Sequence, residues 1–273
     1  MILESERPRS CFFHRWASPL TVLLFGLANQ RLQAQELSNS WKFVVGVGAV
    51  NQPKYPGSSE NMTRALPFIA IEYGRVFLGG APGAGIPAGL GAYLYRDSRW
   101  TLGVGLGQDL TKPRKEADST RLHGLGDIDS TPLGAIFASG RWPWFAIRAS
   151  VISDVGGKDE GTRASLDLEA KYHLSSNITL AAGPGATWAD RRYQQTFFGV
   201  SKNQSLNSGL EEYTAESGIN NLRFSLSMDL RLNRQWNLGT RFTMTALNGK
   251  AERSPITERK RTSTLAVFGM YRF

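Results

Sequence analysis

The sequence is poor in the residues that most often carry chemistry. Cysteine occurs once in 273 residues, at Cys11. Past that point there is no disulfide, no thiolate nucleophile and no cysteine-ligated metal. Cys11 also precedes the N-terminal apolar stretch, whereas a lipid-anchored cysteine would follow it. Of three histidines, only His123 and His173 lie beyond the N-terminal region. No Gly-x-Ser-x-Gly segment occurs, so the strained elbow of a serine hydrolase is lacking. Long apolar runs are also missing: nothing reaches the roughly 18 residues of a membrane-spanning helix. A helical membrane protein is thereby disfavoured.

What is present is glycine, 29 residues of it, and an aromatic content of 11%. Short strands rich in both are typical of β-barrels, where alternate residues face lipid and lumen. The first 34 residues stand apart. Arg7, Arg9 and Arg15 precede an apolar stretch from Ala17 to Ala28, and Leu32-Gln33-Ala34 offers a cleavage point. This is the layout of a secretory signal peptide, with a long n-region that also contains Glu4 and Glu6. Removing residues 1–34 takes away four arginines and two glutamates and lowers the net charge from +9 to +7. A basic exported chain suits anionic partners such as lipopolysaccharide phosphates or murein carboxylates, and not nucleic acid.

The strongest pattern is alternation with period two, which puts every second side chain on one face of a strand. From 222 to 232 the even positions are Leu222, Phe224, Leu226, Met228, Leu230 and Leu232, and the odd ones Arg223, Ser225, Ser227, Asp229 and Arg231. From 164 to 172, Ala164, Leu166, Leu168, Ala170 and Tyr172 oppose Ser165, Asp167, Glu169 and Lys171. Such runs predict about twelve strands, at 41–51, 64–73, 75–80, 89–96, 99–109, 131–140, 143–152, 162–173, 177–189, 219–232, 236–247 and 262–273. Connections after even-numbered strands are short. Those after odd-numbered strands include the long segments 52–63, 110–130, 190–218 and 248–261. Transmembrane barrels have this asymmetry, with an even strand number, short periplasmic turns and long outer loops.

Aromatics gather near the strand ends: Trp41, Tyr73, Trp100, Trp142, Trp144, Tyr172, Trp188, Trp236 and Tyr271. At a membrane interface such rings sit with body in lipid and polar edge among headgroups. The last strand carries Leu265, Val267, Gly269, Tyr271 and Phe273 on one face. Tyr271 and Phe273 form a candidate signal for the barrel assembly machinery, since the final strand must meet the first to remove the open edge.

Several segments resemble the MipA/OmpV family across nearly the whole chain after residue 34. Pro53-Lys54-Tyr55-Pro56-Gly57-Ser58 follows the first strand, and Gly124-Leu125-Gly126-Asp127-Ile128-Asp129 lies in the middle. Phe197-Phe198-Gly199-Val200-Ser201 leads to Ser208-Gly209-Leu210, Tyr213 and Gly218. Ser254-Pro255-Ile256 precedes the closing Tyr271-Arg272-Phe273. Two departures are the partly acidic n-region and the basic run Arg259-Lys260-Arg261 in the last loop. The resemblance implies an outer-membrane protein with a scaffolding role, one that holds a murein-degrading lytic transglycosylase near a murein synthase. Other members are described as osmotically regulated surface proteins or adhesins. It supplies no catalytic residue set and no cofactor.

The remaining chemistry is thin. His123 shares a long loop with Asp118, Asp127 and Asp129, so an acid–base pair is conceivable, as is a turn capped by the same carboxylates. Asp127 and Asp129 alone are too few ligands to argue for a divalent cation. Arg148, Asp167, Glu169, Arg223, Asp229, Arg231, Arg241 and Arg272 fall on inward positions, where they would either line a pore or neutralise one another. Arg259, Lys260 and Arg261 are candidate lipopolysaccharide contacts. The expected protein is thus an all-β, up-and-down transmembrane antiparallel barrel over 35–273, non-enzymatic and without a bound metal. The alternatives are a small-conductance pore, an adhesin-type surface protein and an outer-membrane lipid hydrolase.

Overall fold

The computed structural model describes residues 40–79, 88–108 and 113–273. The signal peptide expected at 1–34 lies outside the described residues. Twelve strands form one closed antiparallel ring in which sequence neighbours pair throughout. They are β1 (Trp41–Pro53), β2 (Asn61–Tyr73), β3 (Val76–Gly79), β4 (Ala88–Arg96), β5 (Trp100–Gln108), β6 (Pro132–Arg141), β7 (Phe145–Asp154), β8 (Thr162–His173), β9 (Ile178–Ala189), β10 (Gly218–Arg231), β11 (Trp236–Leu247) and β12 (Arg261–Arg272). The even strand number and the loop asymmetry stand as expected: turns 74–75, 97–99, 142–144, 174–177 and 232–235 occupy one end.

Closure joins the last strand to the first and so removes the free sheet edge there, the condition for a sheet in lipid. β12 pairs with β1 from Val44 opposite Arg272 to Asn51 opposite Leu265. The Phe273 N–H extends the seam by donating to the Phe43 carbonyl at 3.1 Å. At the short-turn end the interfacial aromatics meet in pairs, Trp41 with Tyr73 at 4.7 Å, Trp100 with Trp142 at 5.4 Å and Trp236 with Tyr271 at 5.1 Å between ring centroids. Tyr271 also packs against Phe273 at 4.8 Å. We expect the double change Tyr271→Ser, Phe273→Ser to lower outer-membrane levels several-fold and to leave aggregated protein in the periplasm. Fractionation and immunoblotting measure this, and unchanged membrane levels would contradict a role for this seam in assembly.

The alternation is realised as read. Leu222, Phe224, Leu226 and Met228 project outward and are exposed, while Arg223 turns inward to Asp167. The inside holds two kinds of filling. Ion pairs form one: Arg223 with Asp167 at 2.8 Å, and Glu169 with Arg148 at 2.6 Å and Arg241 at 3.3 Å. Five of the eight inward charges therefore neutralise one another. Aromatic rings form the other. Phe77, Tyr93 and Phe137 make a buried cluster inside the wall of β3–β6. A Cβ at Gly103 would come within 2.4 Å of the Phe137 ring, and one at Gly239 within 2.2 Å of Phe268. Part of the high glycine content is thus wall that lets inward rings lie flat against it.

Two strand starts differ from the alternation by more than one residue. β2 begins at Asn61 because its pairing with Pro53 extends the hairpin, supported by an Asn61–Asn51 side-chain hydrogen bond of 3.0 Å. β7 begins only at Phe145, since Pro143 has no N–H to give the ladder. A larger difference concerns the segments read as loops 190–218 and 248–261. They contain helices α1 (Arg191–Phe198), α2 (Lys202–Ser208) and α3 (Gly249–Glu252). Asp190 caps α1 by accepting the Tyr193 N–H, and Ser201 with Gln204 forms a capping box on α2.

Candidate functional site: a loop cap across the outer mouth

The long connections do not wave in solvent. They fold on one another at the end of the barrel that faces outward in such proteins. One buried cluster joins Ile128, Phe197, Phe198, Ala215, Leu247 and Ala251. A second joins Tyr55, Leu122, Leu125, Val200 and Ile256. Tyr213 packs against both. These residues come from the β1–β2, β5–β6, β9–β10 and β11–β12 connections, with Leu247 at the end of β11. In the closed ring the β5–β6 hairpin lies six strand positions from β11–β12, so it stands on the opposite side. A core shared between those two loops must therefore cross the mouth.

Polar contacts fix the crossing. The Arg121 guanidinium reaches across to the Pro255 carbonyl, at 3.1 Å from Nε. Gln204 Nε2 donates to the Leu125 carbonyl at 2.8 Å. Ser254 Oγ donates to the Phe198 carbonyl at 2.6 Å, and Tyr213 Oη to the Lys250 carbonyl at 2.9 Å. Within the β5–β6 loop, Glu116 acts as a hub. Its carboxylate accepts the N–H groups of Gly124 at 2.7 Å and Gly126 at 3.2 Å, and its own N–H donates to Asp127 Oδ1 at 2.8 Å. Gly124 adopts φ +79, and a Cβ there would lie 2.6 Å from the Asn207 backbone. Position 124 therefore admits glycine alone, both by conformation and by room.

Arg114 is 2% exposed, and its guanidinium donates to the Phe197 carbonyl at 3.3 Å. Burial lowers its pKa to about 10, against the pull of Tyr55 and Asp127, so it stays charged at neutral pH. Tyr55 Oη donates to Glu258 at 2.9 Å, and Ser59 adds its N–H and Oγ at 3.1 Å each. Burial pushes the Tyr55 phenol up, with the Glu258 hydrogen bond adding to it. For Glu258 burial alone would raise the pKa. The bonds from Ser59 and Tyr55 and the nearby Arg121 outweigh it and hold the carboxyl below its ordinary range. A depressed carboxyl stabilises the fold above its unfolded pKa and loses that contribution as pH falls through the folded value. Amide exchange at residues 55–60 and 254–258 should therefore stay slow through neutral pH and rise only below the ordinary glutamate range. In Glu258→Gln this acid transition should vanish, and an identical transition in the variant would exclude Glu258 as its source.

The residues singled out in the sequence fall into three places. Tyr55, Gly57, Gly124, Gly126, Asp127, Phe198, Gly199, Ser201, Ser254 and Pro255 all converge on the cap. Gly57 takes part through its carbonyl, which accepts the Glu258 and Arg259 N–H groups, and Gly199 through its N–H, bound to the Gln195 carbonyl. Asp129 is exposed on the same loop. Tyr271 and Phe273 lie at the far end. Arg259 and Arg261 border a lipid-facing groove with Leu222, Phe224, Phe242 and Met244, while Lys260 pairs with Glu252 at 3.2 Å. His123 is exposed and stands 4.0 Å from Glu116, not beside Asp118, Asp127 or Asp129. His173 links two turns, with ring nitrogens 3.0 Å from Thr179 Oγ1 and 3.1 Å from the Pro143 carbonyl. Among the described residues no three His, Cys, Asp or Glu side chains cluster as metal ligands. Sequence reading missed Arg114, Glu116 and Glu258. Each bonds to residues far along the chain or to backbone, which leaves no periodic trace.

Comparison with known proteins places this architecture. YiaT of Escherichia coli (strain K12), provisionally named an outer membrane protein, is 24% identical over 174 residues, covering 63% of this chain and 67% of YiaT. The NanC porin aligns with a TM-score of 0.45 at 10% identity, over 83% of this chain and 98% of NanC. An outer membrane channel of Pseudomonas putida F1 aligns with a TM-score of 0.45 at 12% identity, over 89% of this chain and 99% of the channel. Residues 45–273, the barrel from within β1 onward and its cap, match the family of the MltA-interacting protein MipA, and the chain belongs to that family of outer-membrane β-barrels.

Proposed function

We propose that this barrel is a non-enzymatic scaffold that holds a murein-degrading lytic transglycosylase close to a murein synthase at its periplasmic rim. The observation that carries the reading is the cap. Residues of the family motifs close the outer mouth with two apolar clusters, and partner binding is left to the other end. The family name, a protein interacting with MltA, points the same way. Against catalysis, His123 is open to solvent and His173 is engaged by a hydroxyl and a carbonyl. Against free diffusion through the lumen stand the cap, the inner aromatics and the Arg–carboxylate pairs. The proposal includes a cleaved leader at 1–34 and lipopolysaccharide contact through Arg259, Lys260 and Arg261 beside the lipid-facing groove.

The periplasmic turns are two to four residues long. A stable interface buries about 1,200–2,000 Å² in total, so a partner must grip several turns at once. The test is capture from envelope extracts with refolded barrel. Changing Arg141, Arg234 and Gln235 together to Ser should abolish recovery of the murein enzymes. Changing Arg259, Lys260 and Arg261 to Ser should weaken lipopolysaccharide association and leave enzyme capture intact. The reverse pattern would overturn either the orientation or the scaffold role.

A further inference from the structure

At the short-turn end a cavity of about 450 Å³ is lined by Val44, Arg231, Arg234, Gln235, Asn237, Met270 and Arg272. It sits inside the mouth of the barrel, not on its lipid face. The lipid-facing positions here are Phe43 and Val45 on β1, Trp236 and Leu238 on β11 and Phe273 past β12. Val44, Asn237, Met270 and Arg272 hold the intervening inward positions. The register places them in one patch: Arg231 lies opposite Asn237, Asn237 opposite Met270, and Arg272 opposite Val44. Arg234 and Gln235 come from the β10–β11 turn that overhangs them.

The charge of this patch is the unusual feature. Four other inward arginines meet carboxylates: Arg148, Arg223 and Arg241 do so, and Arg96 meets Glu72 at 2.6 Å. Arg231, Arg234 and Arg272 have no carboxylate within 4.0 Å among the described residues. No acidic side chain lines the cavity, and its remaining polar groups are the amides of Gln235 and Asn237. Three like charges converging on one concave space repel one another unless an anion joins them. Guanidinium forks suit planar or tetrahedral oxyanions that accept two hydrogen bonds each.

We propose that this vestibule is a binding site for a phosphate-type oxyanion entering from the periplasmic side, held by Arg231 and Arg272 with Arg234 closing over it. The volume fits a phosphate ester or diphosphate group and not a polymer. Two sources share this chemistry, a soluble phosphorylated solute and the headgroup of an anionic phospholipid at the inner leaflet. The proposal does not depend on the scaffold role, and its test uses residues outside the rim set changed above.

Inorganic pyrophosphate is titrated calorimetrically into the full barrel refolded in phosphatidylcholine vesicles. Wild type should bind saturably. Arg231→Gln and Arg272→Gln should each weaken binding at least tenfold, and Arg231→Lys, which keeps the charge but loses the fork, less. Arg99→Gln, in a periplasmic turn outside the cavity, should bind as wild type. Heat-modifiable migration on gels shows that each variant has folded. The titration is repeated in vesicles containing phosphatidylglycerol. A loss of apparent affinity there that disappears in Arg231→Gln assigns the site to headgroups, and unchanged affinity assigns it to a soluble ligand. No saturable binding by wild type, or equal binding by folded Arg231→Gln and Arg272→Gln, overturns the proposal.

Discussion

Phe198→Ala is expected to open the outer mouth while leaving the barrel folded. Phe198 is fully buried among Ile128, Phe197, Ala215, Leu247 and Ala251, and its carbonyl anchors Ser254 at 2.6 Å. Truncating a buried phenylalanine costs about 3–5 kcal/mol when the surroundings cannot collapse into the space. The strands are held by their own ladders and by lipid, so this loss falls on the cap. At about 1.4 kcal/mol per tenfold, cap amides should exchange at least a hundredfold faster. Residues 190–217 should become sensitive to protease added from outside, and planar-bilayer conductance should rise above that of the wild type. Unchanged exchange and conductance in a folded variant would mean that the cap does not depend on this cluster.

The barrel was legible because its signal is local. Period-two alternation survives in each strand separately, and Leu222 to Arg231 reads the same whether or not β9 and β11 are known. Loop length is local too, and it set the orientation. The cap was legible only as a list of motif residues without a reason. Tyr55 and Glu258 lie 203 positions apart, and Arg121 and Pro255 134 apart. No period or spacing links them, because ring closure brings them together. The local part of the cap was in fact readable: Ser201 with Gln204, and Gly209 at φ +73, mark the start and end of α2.

The lumen illustrates the same division. Alternation identified which charges face inward but left open whether they line a pore or pair. Only the register answers this. Arg148 lies directly opposite Asp167, yet its closest carboxylate is Glu169, one inward step along β8, while Asp167 is taken by Arg223 from β10. The pairing thus runs across the lumen side of β7–β11, and it engages Asp167 and Glu169 there. Arg231 and Arg272 at the mouth pair with neither of these carboxylates.

Leu226→Arg tests the frame on which all of this rests. Leu226 is near the middle of β10, paired with Ala182 on β9 and Phe242 on β11, and is 45% exposed. That exposure is to hydrocarbon if β10 spans the membrane. An arginine on the lipid face near the midplane costs about 2–4 kcal/mol, because it must snorkel or draw water into the bilayer. Ser225, one residue away, faces inward and bonds Thr243 at 3.0 Å. Arginine there loses one hydroxyl contact of about 1 kcal/mol but keeps its charge among polar side chains. Equilibrium unfolding from phosphatidylcholine vesicles in guanidinium should therefore show Leu226→Arg destabilised by about 2–4 kcal/mol and Ser225→Arg by less than half of that. A slip of one residue in register moves every side chain of the strand to the other face. The ranking of the two variants would then invert, and with it the assignment of Arg223 to the lumen.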